Sequence, residues 1–135
     1  GSKFVSIGGA IANDVHGKNH HRDGSFSDYL EEFDIIKENG ELVSCSNKTN
    51  SELFYATCGG LGLTGIITNV KIKLLKIKSK NIDGKIVKTN NFKETIQKLN
   101  ELKDYKYLVA WTDTLSKKKM VDQLYFVENI QMMVI

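Results

Sequence analysis

Four glycines fall within the seven residues from Gly59 to Gly65, and their arrangement restricts the fold more than any other feature of the chain. The segment from Gly60 to Gly65 has the spacing G-x-G-x-x-G, which in dinucleotide-binding α/β folds follows a strand and opens a helix. Here the glycines follow a short predicted helix and precede a β-branched run at 66–70. The order therefore argues against a Rossmann fold. It indicates a turn whose backbone passes close to a ligand or to another part of the chain.

The composition is that of a single folded domain. The 135 residues are 41% hydrophobic and 26% charged, which predicts a buried core rather than a disordered chain. No apolar stretch is long enough to cross a membrane, and no basic segment followed by an apolar run opens the chain, so neither a membrane span nor an intact secretory signal is expected. The two cysteines, Cys45 and Cys58, lack metal-ligand spacing and favour a reducing compartment, so we expect a cytoplasmic protein.

The charged residues disfavour a nucleic-acid partner. Nineteen Lys and Arg residues against sixteen Asp and Glu residues give a net charge of +3, and Arg22 is the sole arginine. The lysines at 71–80 alternate with apolar residues and have no aromatic residues between them. A solvated strand face is therefore favoured over a nucleic-acid surface.

Hydrophobic periodicity predicts a mixed α+β order. Strands are expected over 3–7, 29–36, 41–45, 63–80, 107–112 and 124–127, and helices over 51–58 and 92–103. Gly8-Gly9 is expected to form a turn after the first strand, and Asn39-Gly40 to form the tight turn of a hairpin. A change of parity at Leu74-Leu75 predicts a β-bulge.

Both predicted helices carry start signals. Asn50 is expected to cap the first helix and Gly59 to end it, and Asn91 with Glu94 forms a capping box at the second. The expected buried face of the second helix consists of Phe92, Ile96, Leu99 and Leu102. Trp111 is expected in the core.

A loop dense in Asn, Asp and His is predicted at 10–21. His16 and His20 have the i, i+4 spacing of metal ligands on a helix, but Gly17 weakens such a helix and no carboxylate or thiolate completes the ligand set. Ligand contact and structural roles for these histidines stay open, and no metal is expected. Lys18 is the loop cation placed to meet an anion.

Two segments of this chain match one family when they are considered together. Residues 8–21 read GGAIANDVHGKNHH, and residues 59–67 read GGLGLTGII. Together they resemble the FAD-linked oxidases of the vanillyl-alcohol oxidase type. Within that superfamily, His-Gly-Lys-Asn-His-His followed by Gly24-Ser25-Phe26 looks most like the decaprenylphosphoryl-β-D-ribose 2′-oxidases. The match covers residues 1–77 and continues loosely to Trp111.

The resemblance implies a fold and a cofactor. Residues 1–79 would be the second subdomain of a PCMH-type FAD-binding domain of α+β class, and residues 80–135 would begin the substrate domain, so the chain would be an internal segment. FAD is the implied cofactor. The residues implied to lie along it are Gly1, Ser6, Ile7, Gly8, Gly9, Asn13, Asp14, Val15 and His16, with Ile67 at the adenosine end.

The resemblance also implies a reaction. A sugar carbinol would give a hydride to the flavin while a base takes the hydroxyl proton. His16 and Lys18 would border the flavin and substrate pocket and are the catalytic candidates, with Lys18 suited either to the anionic phosphate of a polyprenyl-phosphate sugar or to the reduced flavin. The further partner expected is a reductase, and the parent enzyme would be cytoplasmic or peripheral to a membrane.

Two alternative functions stay open. A sugar-lactone oxidase of the same superfamily would keep the His-Gly pair but lack the Lys-Asn-His-His continuation. A non-catalytic binding or assembly module would keep the scaffold alone. As an isolated half of a cofactor site, the chain would leave sheet edges and an apolar cofactor face exposed, which would favour oligomers.

Overall fold

The computed structural model describes residues 4–77, 82–112 and 122–130, with 82–83 and 122–130 described by their backbone alone. Within these ranges the chain forms two compact units. The first comprises residues 4–20 and 24–75, and the second comprises residues 21–23, 76–77, 82–112 and 122–130. The assignment of 1–79 to a cofactor subdomain and 80–135 to a substrate domain stays a prediction. Gly1 lies outside the described residues.

The first unit is a three-stranded antiparallel sheet with short helices. The elements up to residue 75 are α1 (Ile7–Ala12), α2 (His20–Asp23), a 3-10 turn (Phe26–Tyr29), β1 (Leu30–Ile36), β2 (Leu42–Ser46), α3 (Ser51–Thr57) and β3 (Ile66–Ile72). The strand order is β2-β1-β3, with Phe33 opposite Cys45 on one side and Val70 on the other. Because side chains alternate along a strand, Phe33 and Ile35 face the helices while Asp34 faces away.

The core of this unit lies between the sheet and the helices. Its buried members are Ile11, Leu30, Phe33, Ile35, Cys45 and Phe54. The rings of Phe33 and Phe54 stack with their centroids 5.3 Å apart. The core therefore joins α1, β1, β2 and α3, and the predicted α+β class is confirmed.

The hairpin between β1 and β2 is as the sequence predicts. Lys37 N donates to Glu41 O at 3.0 Å, and Gly40 N donates to Lys37 O at 2.9 Å. Gly40 has a φ of +80°, which a residue with a β-carbon rarely adopts. Asn39 Oδ1 accepts from Glu41 N at 3.0 Å and so supports the turn.

The helix α3 begins at the predicted residue, Ser51, and ends at Thr57, one residue before the predicted end, and its N-terminal cap differs from the prediction. Asn50 has a φ of +49°, and its Nδ2 donates to Ser44 O at 2.9 Å instead of the side chain capping the helix. Gly59 has a φ of +75° directly after the helix, as a left-handed C-terminal glycine should.

The strand predicted over 3–7 and the turn predicted at Gly8-Gly9 are wrong. Ile7–Ala12 forms α1, and Ser6 Oγ accepts from Gly9 N at 3.1 Å as its N-cap. The cap and the complete burial of Ile11 outweigh the strand propensity of the β-branched residues before the glycines.

The strand predicted over 63–80 is too long. β3 spans Ile66–Ile72, residues 73–77 are in no strand, and 78–80 lie outside the described residues. The bulge predicted at Leu74-Leu75 is wrong, because the pairing with β1 ends where Ile72 meets Leu30. The register shifts instead beside Asp34, whose partner is Asn69, while Ile35 pairs with Ile67.

The second unit is another antiparallel sheet with one helix. It contains β4 (Ile82–Thr89), α4 (Phe92–Glu101), β5 (Tyr107–Thr112) and β6 (Asp122–Ile130), in the strand order β4-β6-β5. Asn91 Oδ1 caps α4 by accepting from Glu94 N at 2.9 Å. Residues 21–23 belong to this unit, where His21 Nε2 donates to Tyr105 O at 2.9 Å.

The predicted buried face of α4 is partly wrong. Phe92 and Ile96 are exposed, and Leu99 and Leu102 are half-buried. The most buried position on the helix is Thr95, whose hydroxyl lies 2.7 Å from that of Thr89 in β4.

Two further expectations concern the burial of Trp111 and the presence of a membrane-spanning helix. Trp111 is 64% exposed, so its expected place in the core is wrong. In the ranges that the structure describes, no helix has both the length and the apolar character required to cross a membrane.

Candidate functional site

The start of α1 holds four of the predicted cofactor residues, which are Ser6, Ile7, Gly8 and Gly9. Ser6 Oγ accepts from Gly9 N at 3.1 Å and keeps its own hydroxyl proton for a further partner. A β-carbon at Gly9 would lie 2.9 Å from Ser6 Oγ, so glycine at this position preserves the cap. A β-carbon at Gly8 would meet Ile67 Cβ at 3.9 Å, an ordinary contact. Ile67 itself is half-buried and packs against the core.

The end of α1 is joined to the glycine turn at 59–62. Gly59 N donates to Ile11 O at 3.0 Å, and Leu61 N donates to Ala12 O at 2.7 Å. The sequence interpretation of a turn that passes close to another part of the chain is thereby confirmed. A β-carbon at Gly60 would collide with the carbonyl oxygen of Ala56.

Asn13 and Val15 continue the chain beyond α1. Asn13 Nδ2 donates to Gly9 O at 2.9 Å, which satisfies a carbonyl of the helix and leaves Asn13 Oδ1 as an acceptor. Val15 N donates to Ala10 O at 3.0 Å, and Val15 O accepts from Phe26 N at 2.9 Å. The side chains of both residues are exposed.

Asp14 points into the protein and not along the surface with its neighbours. Its Oδ2 accepts from Ser25 Oγ at 2.9 Å, and its Oδ1 accepts from Ser27 N at 2.9 Å. Partial burial raises the pKa of this carboxyl, but the hydrogen bonds from Ser27 and Ser25 and the nearby charge of His16 outweigh it and hold the pKa below its usual value. Asp14 is therefore an ionised carboxylate at neutral pH.

His16 and His20 lie together, and one carbonyl binds both. Their ring centroids are 4.5 Å apart, and each Nδ1 lies within hydrogen-bond distance of Gly17 O, at 3.3 Å for His16 and 3.1 Å for His20. When Nδ1–H of His16 donates to this carbonyl, its Nε2 is the basic nitrogen of the neutral ring. Lys18 is exposed in the same loop.

In the part of the chain that the structure describes, His16 and His20 have no further side chains arranged around them as metal ligands. Across the described parts of the chain, no group of three or more His, Cys, Asp or Glu side chains is arranged to hold a metal ion. The arrangement suits contact with an organic ligand, through one basic ring nitrogen and a lysine ammonium group.

The surface beside α1 has the chemistry that FAD requires. The segment leading into the helix exposes apolar side chains, with Phe4 85% exposed and Val5 and Ile7 more than half exposed. Flavin and adenine rings would cover apolar groups of this kind, while the exposed Asn13 amide would meet sugar or phosphate oxygens. The residues present therefore fit FAD.

Sequence reasoning missed two residues of the site. Ser25 and Ser27 hold the Asp14 carboxylate from eleven and thirteen positions away. The sequence signal is the Gly24-Ser25 pair after the histidines, since glycine and serine favour turns. In the structure Gly24 has a φ of +73°, and Ser25 N donates to Asp28 Oδ2 at 2.8 Å.

The two cysteines are unpaired and unreactive by environment. Cys45 is buried in the core and Cys58 is half-buried. Burial raises the pKa of the Cys58 thiol, and the negative charge of Asp14 raises it further. Burial likewise raises the pKa of the Cys45 thiol, so both thiols ionise less readily than a free thiol.

Comparison with known proteins finds similarity to FAD-binding proteins. Residues 1–46 match the family described as the FAD binding domain. The chain is 38% identical over 122 residues to the decaprenylphosphoryl-β-D-ribose oxidase of Mycolicibacterium smegmatis, a match that covers 87% of this chain and 26% of the relative. It is 42% identical over 71 residues to cytokinin dehydrogenase 4 of Arabidopsis thaliana, which covers 53% of this chain and 14% of that relative.

A solved structure shares the fold. The crystal structure of 6-hydroxy-D-nicotine oxidase from Arthrobacter nicotinovorans matches 93% of this chain and 29% of its own, with a TM-score of 0.71 at 19% sequence identity. The chain thus spans between a seventh and a third of the length of these proteins.

Proposed function

We propose a function from the premise that the N-terminal segment of this chain is an FAD-binding domain of the FAD-linked oxidases, whose cofactor is FAD. The chain forms one part of the cofactor and substrate site of an oxidoreductase that removes a hydride from a sugar carbinol. The preferred substrate is a polyprenyl-phosphate sugar of the ribose type.

One observation carries the choice of a sugar over a cytokinin. The similarity to the decaprenylphosphoryl-β-D-ribose oxidase extends over 87% of the chain, beyond the segment that matches the FAD binding domain. The similarity to the cytokinin dehydrogenase covers 53%. Residues of the second unit therefore resemble the ribose oxidase as well, and this unit contains the predicted opening of the substrate domain.

The residues near α1 hold the cofactor in this proposal. Backbone groups from Ser6 to Gly9 lie along FAD, and the exposed side chains of Asn13 and Val15 continue that surface. When bound, FAD supplies the acceptor for the hydride of the sugar. Ile67 lies beside Gly8, because a β-carbon at Gly8 would meet Ile67 Cβ at 3.9 Å, and in this proposal Ile67 meets the adenosine end of FAD.

The loop after α1 serves the substrate. His16 presents a basic ring nitrogen that can accept a hydrogen bond from a hydroxyl group or orient it. Lys18 is exposed and can pair with the anionic phosphate of a lipid-linked sugar. An aldonolactone carries no such anion, so the lysine favours the phosphate-linked substrate over a lactone.

The test uses the 135-residue chain and the product of the complete reading frame, each purified with FAD and freed of unbound flavin. The visible spectrum reports bound flavin, and anaerobic mixing with substrate reports its reduction. We expect the flavin of the complete product to be reduced by a polyprenyl-phosphate ribose and not by an aldonolactone or a cytokinin. Reduction by the lactone alone would replace the proposal with the lactone oxidase, and absence of bound flavin would favour a non-catalytic module.

Two variants test which residues contribute to reducing and binding the flavin: His16→Ala tests the rate of flavin reduction, and Gly9→Val tests the flavin content. His16→Ala is expected to lower the rate of flavin reduction while leaving thermal unfolding nearly unchanged, because this side chain is exposed. Gly9→Val is expected to reduce the flavin content of the folded protein. A normal reduction rate in the first variant would remove His16 from the catalytic site.

A further inference from the structure

Three hydrogen bonds close the base of the loop at 16–24. Asp14 accepts from Ser25 Oγ and Ser27 N, each at 2.9 Å, and Val15 O accepts from Phe26 N at 2.9 Å. The segment before the loop is thus tied to the segment after it. Closed loops of this kind, whose ends lie together, commonly carry functional groups.

The backbone of Asp14 is held in an uncommon conformation. Its φ is +41°, in the left-handed region that Asp tolerates better than most residues with a β-carbon. Such a conformation persists where the surroundings determine it, and it concentrates at functional sites. Here Gly59 packs beside Asp14, since a β-carbon at Gly59 would lie 3.5 Å from Asp14 Cβ.

The Asp14 side chain faces away from the surface that its neighbours offer to a ligand. Both carboxylate oxygens accept hydrogen bonds from the protein, whereas Asn13 and Val15 on either side are exposed. Contact between the Asp14 carboxylate and the cofactor, as the resemblance implies, would require this side chain to turn from Ser25 and Ser27 toward that surface.

We propose that Asp14 is a positioning residue, whose carboxylate closes the base of the 16–24 loop and so keeps His16 and Lys18 at the site without touching cofactor or substrate. The inference rests on the proposed function for the roles of His16 and Lys18. The loop closure itself rests on the geometry alone.

The geometry distinguishes the substitutions at Asp14. Asp14→Gly removes both hydrogen bonds and accommodates the positive φ. Asp14→Asn can keep both, because its amide oxygen can accept from Ser27 N and its amide NH₂ can donate to Ser25 Oγ. Ser25→Ala removes one bond without adding a flexible glycine. Asn50→Gly is the matched control, since Asn50 has a φ of +49° and one side-chain bond to Ser44 O elsewhere in the unit.

The first readout is the rate of tryptic cleavage after Lys18 in the FAD-loaded product of the complete reading frame. Loss of hydrogen bonds to a charged group should speed cleavage in Asp14→Gly by about 10- to 100-fold. Ser25→Ala should speed it by about 3- to 10-fold, and Asp14→Asn and Asn50→Gly should stay close to the unmodified protein.

The second readout is the rate of flavin reduction per bound flavin. We expect Asp14→Gly to lose at least about 10-fold in this rate with its flavin content retained, and Asp14→Asn to restore most of it. A merely structural role would lower the yield of folded protein and leave the rate per flavin unchanged.

Three results would overturn the inference: unchanged cleavage in Asp14→Gly, an Asp14→Asn variant as impaired as Asp14→Gly, or faster cleavage with a normal reduction rate. If Asp14→Gly does not fold, Ser25→Ala decides the matter with the same two readouts. If no sugar reduces the flavin of the unmodified protein, the proposed function fails, while the cleavage rates still decide whether Asp14 closes the loop.

Discussion

Replacing Gly8 with alanine separates the stability of the fold from the binding of FAD. A β-carbon at this position would meet Ile67 Cβ at 3.9 Å, an ordinary van der Waals distance, and Gly8 lies within α1. The protein thus has room for the methyl group. If the backbone of Gly8 lies against FAD, however, the same methyl group would occupy space that the cofactor needs.

The substitution is expected to stabilise the protein without FAD and to weaken its affinity for FAD. Alanine in place of a helical glycine stabilises by roughly 0.5 kcal/mol at such a position, which raises the melting temperature of the protein without FAD by about 2 °C. Overpacking against a close ligand costs about 1–3 kcal/mol, so the affinity for FAD should fall by about 10-fold or more. At FAD concentrations 100-fold above the dissociation constant of the unmodified protein, FAD adds about 2.7 kcal/mol of stability to it and about 1.4 kcal/mol to the variant.

Thermal unfolding with and without FAD, together with titration of FAD, measures both effects in the product of the complete reading frame. Gly65→Ala is the control for a glycine that the fold itself requires. Gly65 has a φ of +144°, and a β-carbon there would collide with the carbonyl oxygen of Ile36. This variant should unfold at a lower temperature by an amount that corresponds to at least about 2 kcal/mol, with or without FAD.

Two results would refute the reasoning about Gly8. A lower melting temperature without FAD would show that the helix cannot accept the methyl group. An unchanged affinity for FAD would show that the backbone of Gly8 does not lie against the cofactor.

Three further results are expected. Phe33→Ala should lower the free energy of unfolding in urea by about 3–5 kcal/mol, because Phe33 is 1% exposed and stacks on Phe54. The pKa of Asp14 is lower in the folded protein than in the unfolded one, so its contribution to stability is fully present above about pH 4 and is lost as the pH falls through the folded pKa. Urea midpoints measured from pH 7 to pH 3 should therefore fall less steeply in Asp14→Asn than in the unmodified protein. Alkylation of Cys58 at pH 8 should be slower than that of a model thiol and faster in Asp14→Asn, whereas Cys45 should stay the slower of the two cysteines because it is buried.

Turn and capping patterns in the sequence predicted the elements that are stabilised by interactions between residues close in sequence. The hairpin turn depends on Gly40, whose positive φ glycine alone adopts without cost, and α4 begins at Asn91 because its side chain accepts from Glu94 N. These interactions lie within a few residues of one another. Sequence patterns therefore contain the information that determines them.

The errors arose where distant residues decide the structure. The length of β3 depends on where β1 stops pairing at Leu30, which the sequence of β3 does not contain. Thr95 is buried because its hydroxyl pairs with that of Thr89 in β4. The helical spacing of apolar residues cannot predict such a pair of polar side chains. Asp14 was grouped with its exposed neighbours because nothing in the adjacent sequence shows that Ser25 and Ser27 return to it.

α1 is the clearest case of an element whose formation depends on distant residues, because the glycine turn at 59–62 holds its end. A six-residue helix with two glycines is unstable alone in water. It forms because Ile11 is fully buried and because Gly59 N and Leu61 N satisfy the carbonyl groups of Ile11 and Ala12. The surface that we propose meets FAD is thus formed by the segment at Gly8-Gly9 and held by the glycine turn at 59–62, more than forty residues later in the chain. Substitutions that displace the turn at Gly60, whose β-carbon would collide with Ala56 O, should therefore reduce FAD binding although the turn itself need not touch the cofactor.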